Sequence, residues 1–66
     1  MAQVMIDIAG TELTAEDKKL LAAPAVNGLI LFTRNFASLE QLQALTREAR
    51  AAAGKPLLIA VDHEGG

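Results

Sequence analysis

Two apolar runs that do not alternate restrict this chain more than any other feature. Gly28-Leu-Ile-Leu-Phe32 and Leu57-Leu-Ile-Ala-Val61 contain no polar side chain. A strand with one wet face shows polar residues at every second position. A run without them reads as a strand covered on both faces, the situation that parallel sheets provide. Parallel neighbours need a long crossover, usually a helix. The segment between the two runs carries the marks of one. Ser38, with Gln41 three residues on, forms the Ser-x-x-Gln pattern of a capping box. Leu39, Leu42, Leu45, Ala49 and Ala52 follow at spacings of three and four, while Glu40, Gln43, Arg47 and Arg50 fall on the other side. Gly54 suits a left-handed residue just past the helix end, and Pro56 follows two positions later.

The first third of the chain repeats the theme. Val4, Ile6 and Ile8 alternate with Gln3, Met5 and Asp7, which predicts a strand over Gln3–Ile8 closed by Gly10. Thr14 is placed to cap a helix, with Leu13 before it as a staple residue and Glu16 and Asp17 in the first turn, where negative charge is favoured. Pro24 ends that helix, because the residue before a proline is pushed out of α geometry. The order is β-α-β-α-β, an α/β fold whose sequential parallel strands are joined by right-handed crossovers.

The length sits poorly with that pattern. A chain of 66 residues buries only about 60% of its unfolded surface. This one has two phenylalanines as its only aromatics and no cysteine to cross-link it. The third strand runs into Asp62-His-Glu-Gly-Gly66 with no helix after it. The expectation is an N-terminal piece of a longer α/β protein, poorly folded when isolated because its outer strands lack neighbours.

Charge and hydropathy narrow the partners. Six basic and eight acidic side chains, with no basic block, form no cationic face for nucleic acid. No apolar run approaches the roughly 18 residues of a membrane span. Met1–Gly10 has no positive start and carries Asp7 within its apolar stretch, unlike a secretory signal. A soluble, cytoplasmic protein is expected.

Ligands of parallel α/β folds bind at the carboxyl ends of the strands. Ala9-Gly10, Thr33–Phe36 and Asp62–Gly66 reach that end. Asp62 has two readings: a structural one, as a cap or as a partner of Arg34, and a ligand contact accepting two hydrogen bonds from vicinal sugar hydroxyls. His63 alternates away from Asp62 and reads as a packing residue. Glu64 reads as a hydrogen-bonding residue of its loop. Arg34 reads as an ion-pair partner or a pocket-lining residue, and Asp7 as a hydrogen-bonding residue within the first strand. Asp62-His63-Glu64 makes a poor metal site, because consecutive ligands diverge and the helical His-Glu-x-x-His spacing is missing. No metal or cofactor is expected.

At this point the residues resemble a family. Gly28-Leu-Ile-Leu-Phe-Thr-Arg-Asn-Phe36, followed after a helix by Leu58-Ile-Ala-Val-Asp-His-Glu-Gly-Gly66, is similar to the N-terminal part of bacterial β-N-acetylhexosaminidases of glycoside hydrolase family 3. Val4-Met-Ile-Asp-Ile-Ala-Gly10 also looks like theirs, and the resemblance runs over essentially the whole chain.

The resemblance implies that residues 1–66 are the first three βα units, incomplete (β-α-β-α-β), of a TIM-type (β/α)8 barrel, part of a single catalytic domain. It implies a parent enzyme that removes terminal N-acetylglucosamine from muropeptides, with retention of configuration, in cytoplasmic cell-wall recycling. In that family the nucleophile is an aspartate and the acid/base a histidine paired with an aspartate, all well downstream of the third strand. The Lys-His-Phe-Pro-Gly-His-Gly stretch that carries this histidine has no counterpart here, and His63 does not match it. Only Asp62 matches a family site residue, the aspartate that hydrogen-bonds the bound sugar. The chain alone is therefore expected to hold no catalytic residue and to be inactive. Two other readings stay open on the residues themselves: a truncated flavodoxin-type phosphate or nucleotide binder, and a small module that oligomerises to hide its apolar strands.

Overall fold

The computed structural model describes residues 4–62. Strand β1 spans Val4–Asp7, helix α1 Ala15–Ala22, strand β2 Val26–Leu31, helix α2 Leu39–Ala53 and strand β3 Leu58–Val61. A single 3-10 turn, Thr33–Asn35, stands where the sequence suggests an irregular loop. The strands form one parallel sheet in the order β1-β2-β3. A flavodoxin-type sheet places its first strand between the second and third. Here β2 is central, so that alternative is overturned.

Each helix begins as its sequence predicts. The Thr14 hydroxyl accepts from the Asp17 amide at 3.0 Å, and the Asp17 carboxylate accepts from the Thr14 amide at 2.9 Å. The reciprocal arm from Asp17 completes a capping box, so this carboxylate is a hydrogen-bond partner as well as a favourable charge. Ahead of α2, the Ser38 hydroxyl accepts from the Gln41 amide at 3.1 Å, and Gln41 Oε1 accepts from Ala37 at 2.8 Å. At the far ends, Ala23 takes extended backbone before Pro24, and Gly54 adopts φ 65°. The Gly54 amide returns a hydrogen bond to the Arg50 carbonyl.

The core lies between the sheet and the two helices. Leu29 and Leu31 of β2 are buried with Ile8, Leu21, Leu45 and Ala49. Burying a leucine of this kind stabilises by about 1.5–3 kcal/mol. The strand bounds differ slightly from expectation: β2 starts at Val26 and stops before Phe32, and β3 starts after Leu57.

Two expectations about covering need correction. Leu39 is 64% exposed rather than part of the buried stripe, because it opens the first turn of α2. That stripe is instead Leu45, Ala49 and Ala53, with Leu42 and Ala52 half-buried beside it. Among the described residues the helices cover one face of the sheet only. On β3 the two end residues stay open on opposite faces, with Leu58 61% and Val61 59% exposed, while Ile59 packs against the core.

The face away from the helices is nevertheless organised. Met5, Gly28 and Leu58 form one transverse row across the three strands. A Cβ on Gly28 would stand 2.8 Å from Met5 Cε, 2.9 Å from Met5 Cγ and 3.2 Å from the Leu58 carbonyl oxygen. The methionine therefore lies across the bare backbone of the central strand.

Two expected outcomes follow for the protein that carries this segment. Gly28→Ala forces Met5 off its seat and presses on the β3 backbone, and should destabilise by about 1–3 kcal/mol in chemical unfolding; coupling it to Met5→Ala should restore part of the loss. At Gly54 nothing lies within 4 Å of an added Cβ, so the cost there is conformational. Gly54→Ala should destabilise by about 1 kcal/mol and Gly54→Asn by less, because asparagine tolerates left-handed backbone.

Candidate functional site

In a parallel sheet the carboxyl ends of all strands share one edge, and the loops leaving them meet there. This end is held by side chains of the 3-10 turn after β2. Asn35 is fully buried, and it is the buried polar residue of the core. Its Oδ1 accepts from the Phe32 amide at 2.8 Å, which closes the turn on itself. Its Nδ2 donates to the carbonyls of Ile8, at 3.1 Å, and Gly10, at 2.6 Å. One amide group thus ties the exit of β1 to the exit of β2. A buried group of this kind is costly unless its hydrogen bonds are made. Among the described residues no buried side-chain nitrogen or oxygen lacks a partner.

Gln41 extends the tie into α2. The Oε1 atom that helps cap the helix leaves Nε2 free to donate to Thr11 at 2.7 Å and to the Asn35 carbonyl at 3.0 Å. The start of α2 is thereby set against both loops.

Arg34 lies on the outer side of the same turn. Its Nη2 donates to Asp7 Oδ2 at 2.9 Å, and Nε and Nη2 both reach the Ile8 carbonyl, at 3.3 and 3.2 Å. Its guanidinium carbon sits 4.6 Å from the centroid of the Phe32 ring. The side chains of Asp7 and Arg34 are 58% and 43% exposed. A pair that wet contributes no more than about 1 kcal/mol to stability. Arg34 is thus the ion-pair residue that the sequence suggests, and its partner is Asp7, which closes β1 beside β2, and not Asp62, the pairing that stood as the structural alternative for that residue.

Asp62 stands one residue past β3. Its amide donates to the Leu31 carbonyl at 2.8 Å, so the ladder between β2 and β3 continues to this point. Leu31 pairs with Val61, which sets Phe32 and Asp62 as the next neighbours across the two strands. Both line a cleft of about 300 Å³, together with Leu31, Thr33, Phe36, Leu42 and Val61. The cleft is chiefly apolar, with the carboxylate of Asp62 as its charged group. Such a group, exposed beside aromatic and aliphatic surface, can accept hydrogen bonds from a polyol whose carbon skeleton rests on the apolar part.

Of the residues singled out in the sequence, Asp7 and Arg34 are brought together and Asp62 is placed on the same rim. His63 and Glu64, with Gly65 and Gly66, lie outside the described residues. No group of three or more metal-ligating side chains occurs among the described residues. Asn35 and the second role of Gln41 were missed. The available signal was an asparagine in a short turn directly after a fully apolar strand, where a buried polar side chain must find backbone partners.

The comparisons with known proteins agree along the whole chain. The model of the glycosyl hydrolase family 3 N terminal domain matches residues 1–66. A beta-hexosaminidase of Idiomarina loihiensis is 94% identical over 66 residues, all of this chain and 20% of that protein. A beta-hexosaminidase of Nitrosospira multiformis is 59% identical over the same length, 19% of its own. The chain thus spans about a fifth of the curated relatives it matches. Among solved structures, NagZ from Neisseria gonorrhoeae in complex with zinc ion superposes with a TM-score of 0.86 at 55% identity, over 97% of this chain and 19% of that one. The same protein in complex with N-trifluoroacetyl-D-glucosamine gives 0.85 at 56% identity, over 96% and 19%. With its parallel sheet, its flanking helices and a match from first residue to last, the chain belongs to glycosyl hydrolase family 3, within the N-terminal domain of that family.

Proposed function

We propose that this chain forms the opening β-α-β-α-β stretch of a (β/α)8 barrel, three strands and the two helices between them, in a retaining exo-β-N-acetylglucosaminidase, and that Asp62 binds the sugar. The parent enzyme removes terminal N-acetylglucosamine from muropeptides during peptidoglycan recycling in the cytoplasm. The observation that carries this reading is the position of Asp62. It extends the ladder at the carboxyl end of β3, beside Phe32, on a rim already fixed by Asn35 and Arg34. Support also comes from the relatives, named beta-hexosaminidases, and from the related NagZ whose structure holds a glucosamine derivative.

The division of labour follows from the chemistry. Retaining hydrolysis uses two groups flanking the glycosidic bond, one to attack and one to transfer the proton. In this reading both come from the part of the barrel beyond Gly66. Asp62 accepts hydrogen bonds from two adjacent hydroxyls and so fixes the rotation of the ring in the site. A charged acceptor makes these bonds stronger than neutral ones. Fixing the ring aligns the anomeric carbon with groups supplied from elsewhere, and misplacement at that carbon is costly to rate.

Two measurements test the reading. In the protein that carries this segment, Asp62→Asn should lower kcat/KM for a chromogenic N-acetylglucosaminide about ten- to hundredfold, the loss expected for a hydrogen bond to a charged group. An unchanged kcat/KM would remove Asp62 from the site. The 66-residue chain by itself should hydrolyse none of this substrate and should show no cooperative thermal transition. Turnover at a rate like that of a full enzyme would refute the proposal that the bond-breaking groups lie elsewhere.

A further inference from the structure

We propose that Arg34 is a positioning residue of the sugar site: held by Asp7 and the Ile8 carbonyl, it fixes the Phe32 ring beside which Asp62 stands. The inference rests on the reading of Asp62 as the sugar contact and deepens it.

The argument starts from redundancy. The exits of β1 and β2 are already joined by the buried amide of Asn35, which reaches both Ile8 and Gly10. The Arg34–Asp7 pair adds a second tie between the same strands, but it is roughly half exposed and adds little stability of its own. What Arg34 contributes alone is its contact with Phe32, at 4.6 Å from the ring centroid. Three hydrogen bonds, to one carboxylate oxygen and one carbonyl, hold the guanidinium where that contact is made. A planar, delocalised cation pinned in this way is a rigid plate for an aromatic ring.

Phe32 is where this rigidity reaches the site. It is the cross-strand neighbour of Asp62, and the two line the same cleft. Phe32 keeps an extended backbone, with φ −117° and ψ 174°. The backbone therefore leaves the ring free to choose among rotamers, and Arg34 selects one. A ring in a fixed place sets the shape of the cleft that Asp62 also lines. The path runs from Asp7 on β1, through Arg34 and Phe32 after β2, to Asp62 after β3.

The test uses the complete protein that carries this segment and a chromogenic N-acetylglucosaminide. Arg34→Lys keeps the charge but loses the plane. It should raise KM about two- to fivefold with kcat nearly unchanged, and leave the thermal midpoint in place. Phe32→Leu leaves the bonds of Arg34 to Asp7 and Ile8 intact and should raise KM by a similar factor; it also serves if Arg34→Lys fails to fold. The double variant should be no worse than either single one. In an Asp62→Asn background, Arg34→Lys should have no further effect on KM, because its influence passes through that carboxylate. Unchanged KM in both single variants, or a full-sized effect of Arg34→Lys on top of Asp62→Asn, would overturn the inference. If Asp62→Asn lowers kcat/KM while Arg34→Lys and Phe32→Leu do nothing, only the role of Arg34 falls. If Asp62→Asn itself changes nothing, the reading of the site falls and this inference with it.

Discussion

The carbonyl of Ile8 is the point on which this end of the molecule depends. It stands one residue past β1, beyond the last strand pairing, and a carbonyl buried there needs donors. It receives them from Asn35 and Arg34, residues more than two dozen positions away in the chain. Because both donors belong to one short turn, the turn cannot shift without breaking several bonds together. The heights of the first two strand exits are therefore set relative to each other. Gln41 then sets the start of α2 by the same logic, with one amide serving the cap and both loops. The rim on which Asp62 sits inherits this order through the β2–β3 ladder.

Much of the scaffold could be read from the residues because its determinants are local. A capping box needs four consecutive positions, a left-handed end needs one glycine, and an apolar run announces a strand by its own composition. Thr14, Ser38, Gly54 and the Leu29–Leu31 stretch behave as those rules demand. The clasp was not legible in this way. That Asn35 reaches Ile8 and Gly10 depends on two strands lying side by side, a tertiary fact that no window around Asn35 contains. Arg34 was legible as an ion-pair residue, but that its partner is Asp7 is decided by strand register, for the same reason. Asp62 was legible as a rim residue, because its place follows directly from where an apolar strand ends.

The two faces of the sheet show a division that composition alone obscures. Towards the helices, leucine and alanine side chains interlock and exclude water. On the other side, Met5 lies over Gly28, and Leu58 remains exposed. An unbroken apolar run signals that both faces prefer shelter; it does not say how much of that shelter lies within one stretch of chain. The exposure of Val61 and Leu58 on opposite faces of β3 marks where the described residues leave that preference unmet.

The fastening of the rim also has a chemical character of its own. Asn35 and Gln41 are carboxamides, and every bond they make here is to the main chain. Neither gains or loses a proton in the range where enzymes work, and neither carries a charge for dissolved ions to mask. Salt can screen the exposed Asp7–Arg34 pair on the outside while the inner knot keeps its shape. The joint between the first two strand exits is thus anchored by the part of the assembly least responsive to the surrounding medium.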